Sequence, residues 1–459
     1  MLLASIFEPF LAKRPLCVMA RGVLQHLLDP ARIDQVFTET AQRGYQKELL
    51  FSTLTDLFSE VVLRVEPSVH AAYQRREREL GVSAAAVYKK LNGIEPVVSA
   101  ALVRDSAQRA QAVIAALKAA HPPWLRGYRC RVVDGNHLGA TEHRLEELRT
   151  TWAAPLPGRA LVVLDPRGML ATHVFLTPDG HASERTLLDD VLQVVEARDV
   201  WIADRNFCTL GFLFGIARRL GFFVIRQHGC LKGTLLGERK RCGRTHTGVV
   251  FEQQIQLTDS ETGEVKTGRR ITVELKTPTR DGDRELHILT NLPADEVTAC
   301  TACELYRKRW TLETVFHEIT TTLDCEVPSL GYPPAALFAF CLALVAYNAV
   351  SVLKATLRTT HGAKTVTNEV SGYYIALEIR QAHDGMSVVI AEEQWQVFGT
   401  ATAEEMARWL RSVAAGIDLR RYRKHPRGPK KPPPKKSNYK NGGHVSTEKL
   451  LRERRTRPR

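Results

Sequence analysis

Two short apolar stretches, each ending in an aspartate, most constrain what this chain can fold into. Residues 128–134 and 199–204 have the length and apolar content of β-strands, and turn-forming residues follow both of them. Side chains at strand C-termini converge outside an open α/β sheet. The sequence therefore predicts a mixed α/β sheet with Asp134 and Asp204 at neighbouring strand ends.

Further segments extend this sheet. Residues 160–165 and 171–176 are predicted strands joined by a Pro-Arg-Gly break, and a helix is predicted from about 183 to 197. Asp165 also ends a strand, but the Asp-Pro-Arg-Gly sequence favours a turn role for it. From 229 to 292, alternating segments separated by Gly and Thr predict a β-rich insertion.

A polar stripe marks the helix predicted from about 295 to 323. At 100° per residue, one face of it carries Tyr306, Arg309, Glu313, Phe316, His317 and Thr320. Arg309 and Glu313 alone would fit an ordinary surface ion pair worth a few tenths of a kcal/mol. Together with Asp134 and Asp204, however, Glu313 completes a set of three acids. Like charges held close together require a cation, and carboxylates are preferred ligands of Mg²⁺ and Mn²⁺.

Residues 1–125 are predicted to be helical and to form a DNA-binding region. A helix over 71–81 ends in a glycine, and Ser83 is the expected N-cap of a second helix. This pattern fits a helix-turn-helix, with a plain helical hairpin as the alternative. The side chains of the second helix suited to DNA contact are Tyr88, Lys89 and Lys90.

The net charge of +14 lies entirely at the C-terminus. Residues 420–459 hold 16 Lys and Arg against 2 Asp and Glu, whereas the other 419 residues hold 48 of each sign. Pro-rich, basic sequence of this kind buries too little apolar area to fold, so 418–459 is predicted to be a disordered tail that binds a polyanion. The lysines expected to contact DNA there are Lys430, Lys431, Lys435 and Lys436.

Compartment and membrane predictions follow from cysteines and hydropathy. Nine scattered cysteines indicate reduced thiols in a cytoplasmic protein. The uncharged run from 327 to 353 is long enough to span a bilayer, but Gly and Pro interrupt its first third and Asn348 lies in the remainder. A helix buried against the sheet is the favoured interpretation, and no membrane partner is expected.

Taken together, the motifs resemble the acidic-triad (DDE) transposases of the IS4-type insertion-sequence family. Asp134-Gly, Asp204-Arg-Asn-Phe and the Tyr306-x-x-Arg-x-x-x-Glu313 pattern carry the resemblance. It implies a ribonuclease-H-like core in two parts, 126–228 and 293–417, with the β-rich insertion 229–292 between them. It also implies a bacterial, nucleoid-associated protein.

The resemblance implies a function as well. It predicts a cut-and-paste transposase in which Asp134, Asp204 and Glu313 hold two Mg²⁺ or Mn²⁺ ions. Hydrolysis at the transposon end would release a 3′-hydroxyl that then attacks target DNA. Terminal inverted repeats and target DNA would be the partners, bound by a homodimer. The expected DNA contacts around the site are Arg205, Tyr306, Arg309 and Trp310.

One position departs from the family pattern. The family signature has a lysine seven residues after the glutamate, where this chain has Thr320. That lysine usually contacts DNA phosphate, so two alternatives stay open. The first is a metal-dependent nuclease without strand transfer, and the second is a degenerate transposon-derived protein that only binds DNA.

Deleting residues 420–459 is expected to make DNA binding less dependent on salt. Each neutralised phosphate contributes about −0.9 to the slope of log K against log salt on duplex DNA. Fluorescence anisotropy of a labelled duplex across a salt series measures this slope. An unchanged slope would show that the tail is not a DNA arm.

Overall fold

The computed structural model describes residues 5–43, 47–259, 262–279, 282–322, 327, 329–375, 377–378, 386, 390–425 and 443–456. The strands are β1 (Arg129–His137), β2 (Ala154–Leu156), β3 (Arg159–Asp165), β4 (Leu170–Thr177), β5 (Asp199–Ala203), β6 (Phe222–Arg226), β7 (Thr234–Arg244), β8 (Gly248–Thr258), β9 (Val265–Leu275), β10 (Glu285–Thr290) and β11 (His444–Ser446).

The N-terminal helices are α1 (Glu8–Lys13), α2 (Pro15–Leu27), α3 (Pro30–Thr40), α4 (Phe51–Val62), α5 (Val69–Leu80), α6 (Ala84–Asn92) and α7 (Pro96–Ala116). The later helices are α8 (Leu188–Leu192), α9 (Leu210–Arg218), α10 (Ala299–Arg307), α11 (Trp310–Thr322), α12 (Pro333–His361), α13 (Ala363–Glu369), α14 (Gln396–Thr400), α15 (Ala403–Ala414) and α16 (Thr447–Thr456).

One nine-stranded sheet organises the chain, in the order β4-β3-β1-β5-β6-β10-β9-β8-β7. Its first three strands pair antiparallel, whereas β1, β5 and β6 run parallel to one another. A short turn joins β3 to β4, a longer connection that includes β2 joins β1 to β3, and crossovers that include α8 and α9 join the parallel strands, as this geometry requires. The predicted mixed sheet with a ribonuclease-H-like core is confirmed.

Both faces of the core strands are buried, and successive residues alternate between the two faces. Val132 and Ile202 contact the larger core, which is built with the N-terminal helices and α12. Val133 and Trp201 contact a second core that includes residues of α8 and α9. The end of β1 therefore lies between two helical layers.

The predicted β-rich insertion continues the main sheet. Its last strand, β10, pairs antiparallel with β6 of the core, and β9, β8 and β7 follow outward. Because backbone hydrogen bonds join β6 to β10, the insertion is fixed to the strand next to β5. It also returns the chain directly to α10.

Helix α12 lies at the centre of the larger core. Among the described helices it is the one long and apolar enough to cross a bilayer, and its most apolar stretch is entirely buried. It packs on α2, α7, α15 and β4. Asn348 on this helix binds the backbone of β4 at two points: its Oδ1 accepts from the Ala171 N–H at 2.8 Å, and its Nδ2 donates to the Ala171 carbonyl at 3.0 Å.

Two helix predictions are wrong in their extent. The run predicted from 295 to 323 is broken into α10 and α11, because Arg309 makes a turn-type bond from its N–H to the Tyr306 carbonyl. Its guanidinium is buried against Asp134, and such tertiary pairing outweighs a weak helical preference. The helix predicted from 183 to 197 is a 3₁₀ turn (Glu184–Leu187) followed by the single-turn α8.

The disorder predicted for 418–459 is wrong for its two described parts. Residues Leu419–Tyr422 form a 3₁₀ turn with Tyr422 buried, and β11 pairs in parallel with β2. Average composition predicted disorder, but the buried Leu451 and ion pairs from Arg454 to Glu146 and Glu147 hold α16 against the body. The four predicted DNA-contacting lysines lie outside the described residues.

Because β11 and α16 pack on the body, a lysine replacement tests DNA binding by the tail better than a deletion does. A deletion from residue 420 removes β11 and α16 together with the basic segment. Replacing only Lys430, Lys431, Lys435 and Lys436 with glutamine removes charge and leaves the docked segment intact.

Replacing Asn348 with alanine is expected to lower the free energy of unfolding by roughly 2–4 kcal/mol, because two buried backbone groups of Ala171 lose their partners. Urea denaturation followed by circular dichroism measures the change. Ser351→Ala is the matched control, since it removes a single bond from the same helix, to the Met169 carbonyl. A loss for Asn348→Ala no larger than that of the control would contradict this account.

Candidate active site

The pairing of β1 with β5 brings two of the predicted acids together. The parallel register aligns Arg129 with Asp199 and Val132 with Ile202. Two residues further along, the same register places Asp134 level with Asp204, and neighbouring strands lie about 4.8 Å apart. Alternation turns both side chains toward the same face of the sheet, which is the face covered by α11 and α12.

Glu313 reaches Asp134 through Arg309. One nitrogen of the guanidinium donates to Asp134 Oδ2 at 2.7 Å, and the other donates to Glu313 Oε1 at 2.6 Å. The Arg309 residue is only 8% exposed, whereas the Glu313 side chain is 51% exposed. Glu313 therefore lies at the solvent side of the cluster and Asp134 at its buried side.

The electrostatics show that negative charge is crowded here. Burial raises the pKa of Asp134 to about 6. The Arg309 guanidinium opposes this rise, and the negative charges of Asp204 and Glu313 add to it. Burial also raises the pKa of Tyr306, which lies close to both Arg309 and Asp204. All three predicted acids thus act on one site.

The donor atoms of this cluster fit a divalent cation. They are carboxylate oxygens, and their mutual repulsion is the kind that Mg²⁺ or Mn²⁺ relieves. The distances between these oxygens do not suit an ion in this structure, because the Arg309 guanidinium lies between Asp134 and Glu313. In the part of the chain that the structure describes, no three His, Cys, Asp or Glu side chains are grouped closely enough to hold an ion. In the arrangement seen here, Arg309 neutralises Asp134 and Glu313.

Other predicted contact residues differ in how accessible they are. Trp310 is 56% exposed, beside the cluster, and Arg205 is also exposed. Tyr306 is half-buried and packs on the larger core. The backbone of Thr320 and His317 belongs to α11, and the side chains of 317–322 lie outside the described part.

The helix-turn-helix prediction concerns α5 and α6, which have the expected boundaries. Gly81 ends α5 with φ of 62°, and the Ser83 side chain accepts from the Ala86 N–H at the start of α6. Lys89 is exposed, whereas Tyr88 packs against the core and the Lys90 ammonium lies 4.9 Å from the centre of the Phe37 ring. Lys89 is thus the most accessible of the three, and DNA contact by this element stays a prediction.

Sequence reasoning missed three polar residues around the acids. Asn206 and Glu184 are hydrogen-bonded to each other beside Asp204. Asn136 lies two residues beyond Asp134 on the same face of β1, and its buried Nδ2 has no hydrogen-bond partner among the described residues. Strand alternation could have predicted that Asn136 shares a face with Asp134. No neighbouring residue in the sequence indicated a role for Glu184.

The chain resembles a known protein family and a solved structure. Residues 125–349 match the family described as the transposase DDE domain. No curated protein sequence matches the chain. Among solved structures, the chain is similar to a piggyBac transposase in a synaptic complex with hairpin DNA. That match has 8% identity and a TM-score of 0.39, and it covers 87% of this chain and 84% of the other. The family match confirms the resemblance inferred from the motifs.

Replacing Asp134 with asparagine is expected to stabilise the metal-free protein at pH 7.5 by up to about 3 kcal/mol. A carboxyl whose pKa is raised in the folded state binds its proton more tightly there, so wild-type stability falls as the pH rises from about 4 to about 6. Asparagine is neutral throughout and lacks this loss.

Chemical denaturation at pH 4 and pH 7.5 measures the difference between the two proteins. Asp189→Asn, which changes an exposed acid on α8, is the control and should show little change at either pH. An Asp134→Asn variant that is less stable than wild type at pH 7.5 would mean that pairing with Arg309 outweighs burial.

Proposed function

Because residues 125–349 match the transposase DDE domain, we propose that this chain is a cut-and-paste DNA transposase. The observation that best supports this is the convergence of Asp134, Asp204 and Glu313 at the end of the two parallel strands. These three come from segments far apart in sequence and share one electrostatic environment. The proposed partners are the terminal repeats of the element and a target duplex, bound by a homodimer.

The three carboxylates are proposed to hold two divalent ions, Mg²⁺ or Mn²⁺. Such ions, when bound, lower the pKa of an attacking water or hydroxyl and stabilise the leaving oxygen. Asp134 lies on β1 within the sheet, Asp204 directly follows β5, and Glu313 lies on α11. Carboxylates held on regular elements, as Asp134 and Glu313 are, are positioned more accurately than residues on loops.

Arg309 is proposed to bind the two carboxylates first and a DNA phosphate afterwards. In this structure it is committed to Asp134 and Glu313. Its planar guanidinium also suits a phosphate, to which it can donate two parallel hydrogen bonds. We propose that it exchanges the carboxylates for the DNA backbone when the substrate enters, which places the scissile phosphate against the acids.

The reaction proposed is a pair of phosphoryl transfers. Water attacks the phosphorus at the transposon end, the P–O bond to the 3′-oxygen breaks, and that oxygen takes a proton to become a free hydroxyl. The same 3′-hydroxyl then attacks a target phosphodiester, forming the new joint and releasing a target 3′-hydroxyl. Trp310, which is exposed, is proposed to stack on an unpaired base at the end.

Incubation of the protein with Mg²⁺, a labelled duplex carrying the flanking inverted repeat and a supercoiled plasmid tests this function. Joined products are expected. Asp134→Asn, Asp204→Asn and Glu313→Gln should each reduce cleavage and joining by roughly 10³-fold or more, in the range seen when an essential catalytic group is removed. Asp189→Asn serves as the control and should keep full activity.

The possible outcomes separate the alternatives. Nicked ends without joined products would favour the nuclease. Binding without cleavage, in a well-folded protein, would favour the degenerate DNA-binding copy, the alternative that Thr320 suggests. Cleavage that survives in all three acid variants would contradict a catalytic role for these carboxylates.

A further inference from the structure

A fourth carboxylate, that of Glu184, lies against the strand that carries Asp134. An ideal Cβ atom built on Gly135 would be 2.1 Å from Glu184 Oε1 and 2.4 Å from its Cδ. Only a residue without a side chain therefore leaves room for Glu184 at this place. Because strand residues alternate, Glu184 packs on the face of β1 opposite to the Asp134 side chain.

Asn206 joins this carboxylate to the second acid. Its Nδ2 donates to Glu184 Oε2 at 2.5 Å, and its backbone N–H donates to Asp204 Oδ1 at 2.5 Å. The orientation of the amide follows from chemistry, because a carboxylate only accepts and so the NH₂ group must face it. The backbone carbonyl of Asn206 in turn accepts from Arg185 Nε at 2.9 Å.

The connection lies where the sheet stops holding the two strands together. The ladder between β1 and β5 ends at the pair of Val132 and Ile202, two residues before the acids. Beyond that point, no pairing between these two strands fixes Asp204 relative to Asp134. The chain of contacts from Gly135 through Glu184 and Asn206 to Asp204 spans this gap.

We propose that Glu184 is a positioning residue, which holds the Asp204 turn against β1 through Asn206 and so sets the spacing of the two aspartates. This inference rests on the proposed function, since the spacing matters only if the acids act together. The role requires an acceptor for the Asn206 amide and does not require a negative charge. Glutamine at position 184 supplies such an acceptor, whereas alanine does not.

The test compares Glu184→Gln with Glu184→Ala. Two readouts are used: the dissociation constant for Mn²⁺ alone, from the electron paramagnetic resonance signal of the free ion, and kcat for cleavage of the transposon-end duplex. Alanine is expected to weaken Mn²⁺ binding and lower kcat by about 10–100-fold, the range for residues that orient metal-binding groups. Glutamine should remain within about threefold of wild type, and Asp189→Ala is the control.

Gly135→Ala probes the same contact from the other side. Its new methyl group would displace Glu184, so it should reproduce the loss seen in Glu184→Ala. Since both changes break one connection, the double variant is expected to be no worse than either single variant. Circular dichroism and the thermal midpoint establish that the variants are folded.

Three results would overturn the inference. Glu184→Ala indistinguishable from wild type would mean that the contact does not position Asp204. Glu184→Gln as impaired as Glu184→Ala would mean that the charge matters, as for a direct ligand. Additive losses in the double variant would mean two separate effects. A wild-type protein that neither binds Mn²⁺ nor cleaves DNA would instead contradict the proposed function, and that outcome is read from the wild-type sample alone.

Discussion

The parallel register of β1 and β5 is the constraint on which the rest of the site depends. Its last pair, Val132 and Ile202, brings Asp134 and Asp204, each two residues further along, to the same edge of the sheet, and a slip by one residue would turn one of them to the opposite face. The two helical layers fix this register, because the Val132 and Val133 sides of β1 are each buried in a different core. The fold therefore brings the two aspartates to one edge of the sheet before any ligand is present.

The same arrangement costs stability. Two carboxylates, one on β1 and one directly after β5, and a third from α11 repel one another, and burial of Asp134 adds to that cost. Arg309 offsets it by neutralising Asp134 and Glu313 at once, and the helix breaks between α10 and α11 where this residue lies. At functional sites the structure often departs from the local helix preference of the sequence. Here the helix is interrupted at Arg309, the residue that neutralises the two carboxylates.

The sequence predicted the parts of the fold that depend on local patterns. The end of β5 before Asp204 and the caps at Gly81 and Ser83 have local signatures, and the structure has them where expected. The strand end predicted at Asp134 is wrong, because β1 continues to His137 by pairing with β3. The docked C-terminal segment was missed because β11 pairs with β2, about 290 residues earlier, which average composition does not indicate. Glu184 was missed for the same reason, since its importance comes from Gly135 and Asn206, which are distant in sequence.

Cleavage of the backbone by a bound metal would show which segments surround the ion. Fe²⁺ substituted for Mg²⁺, with ascorbate and peroxide, generates hydroxyl radicals that cut the chain next to the ion, and mass spectrometry locates the cuts. Our account predicts three cleavage sites, near 133–136, 203–206 and 309–314, all suppressed by excess Mg²⁺. Cuts confined to other parts of the chain, or cuts at only one of these segments, would contradict a metal centre shared by the three carboxylates.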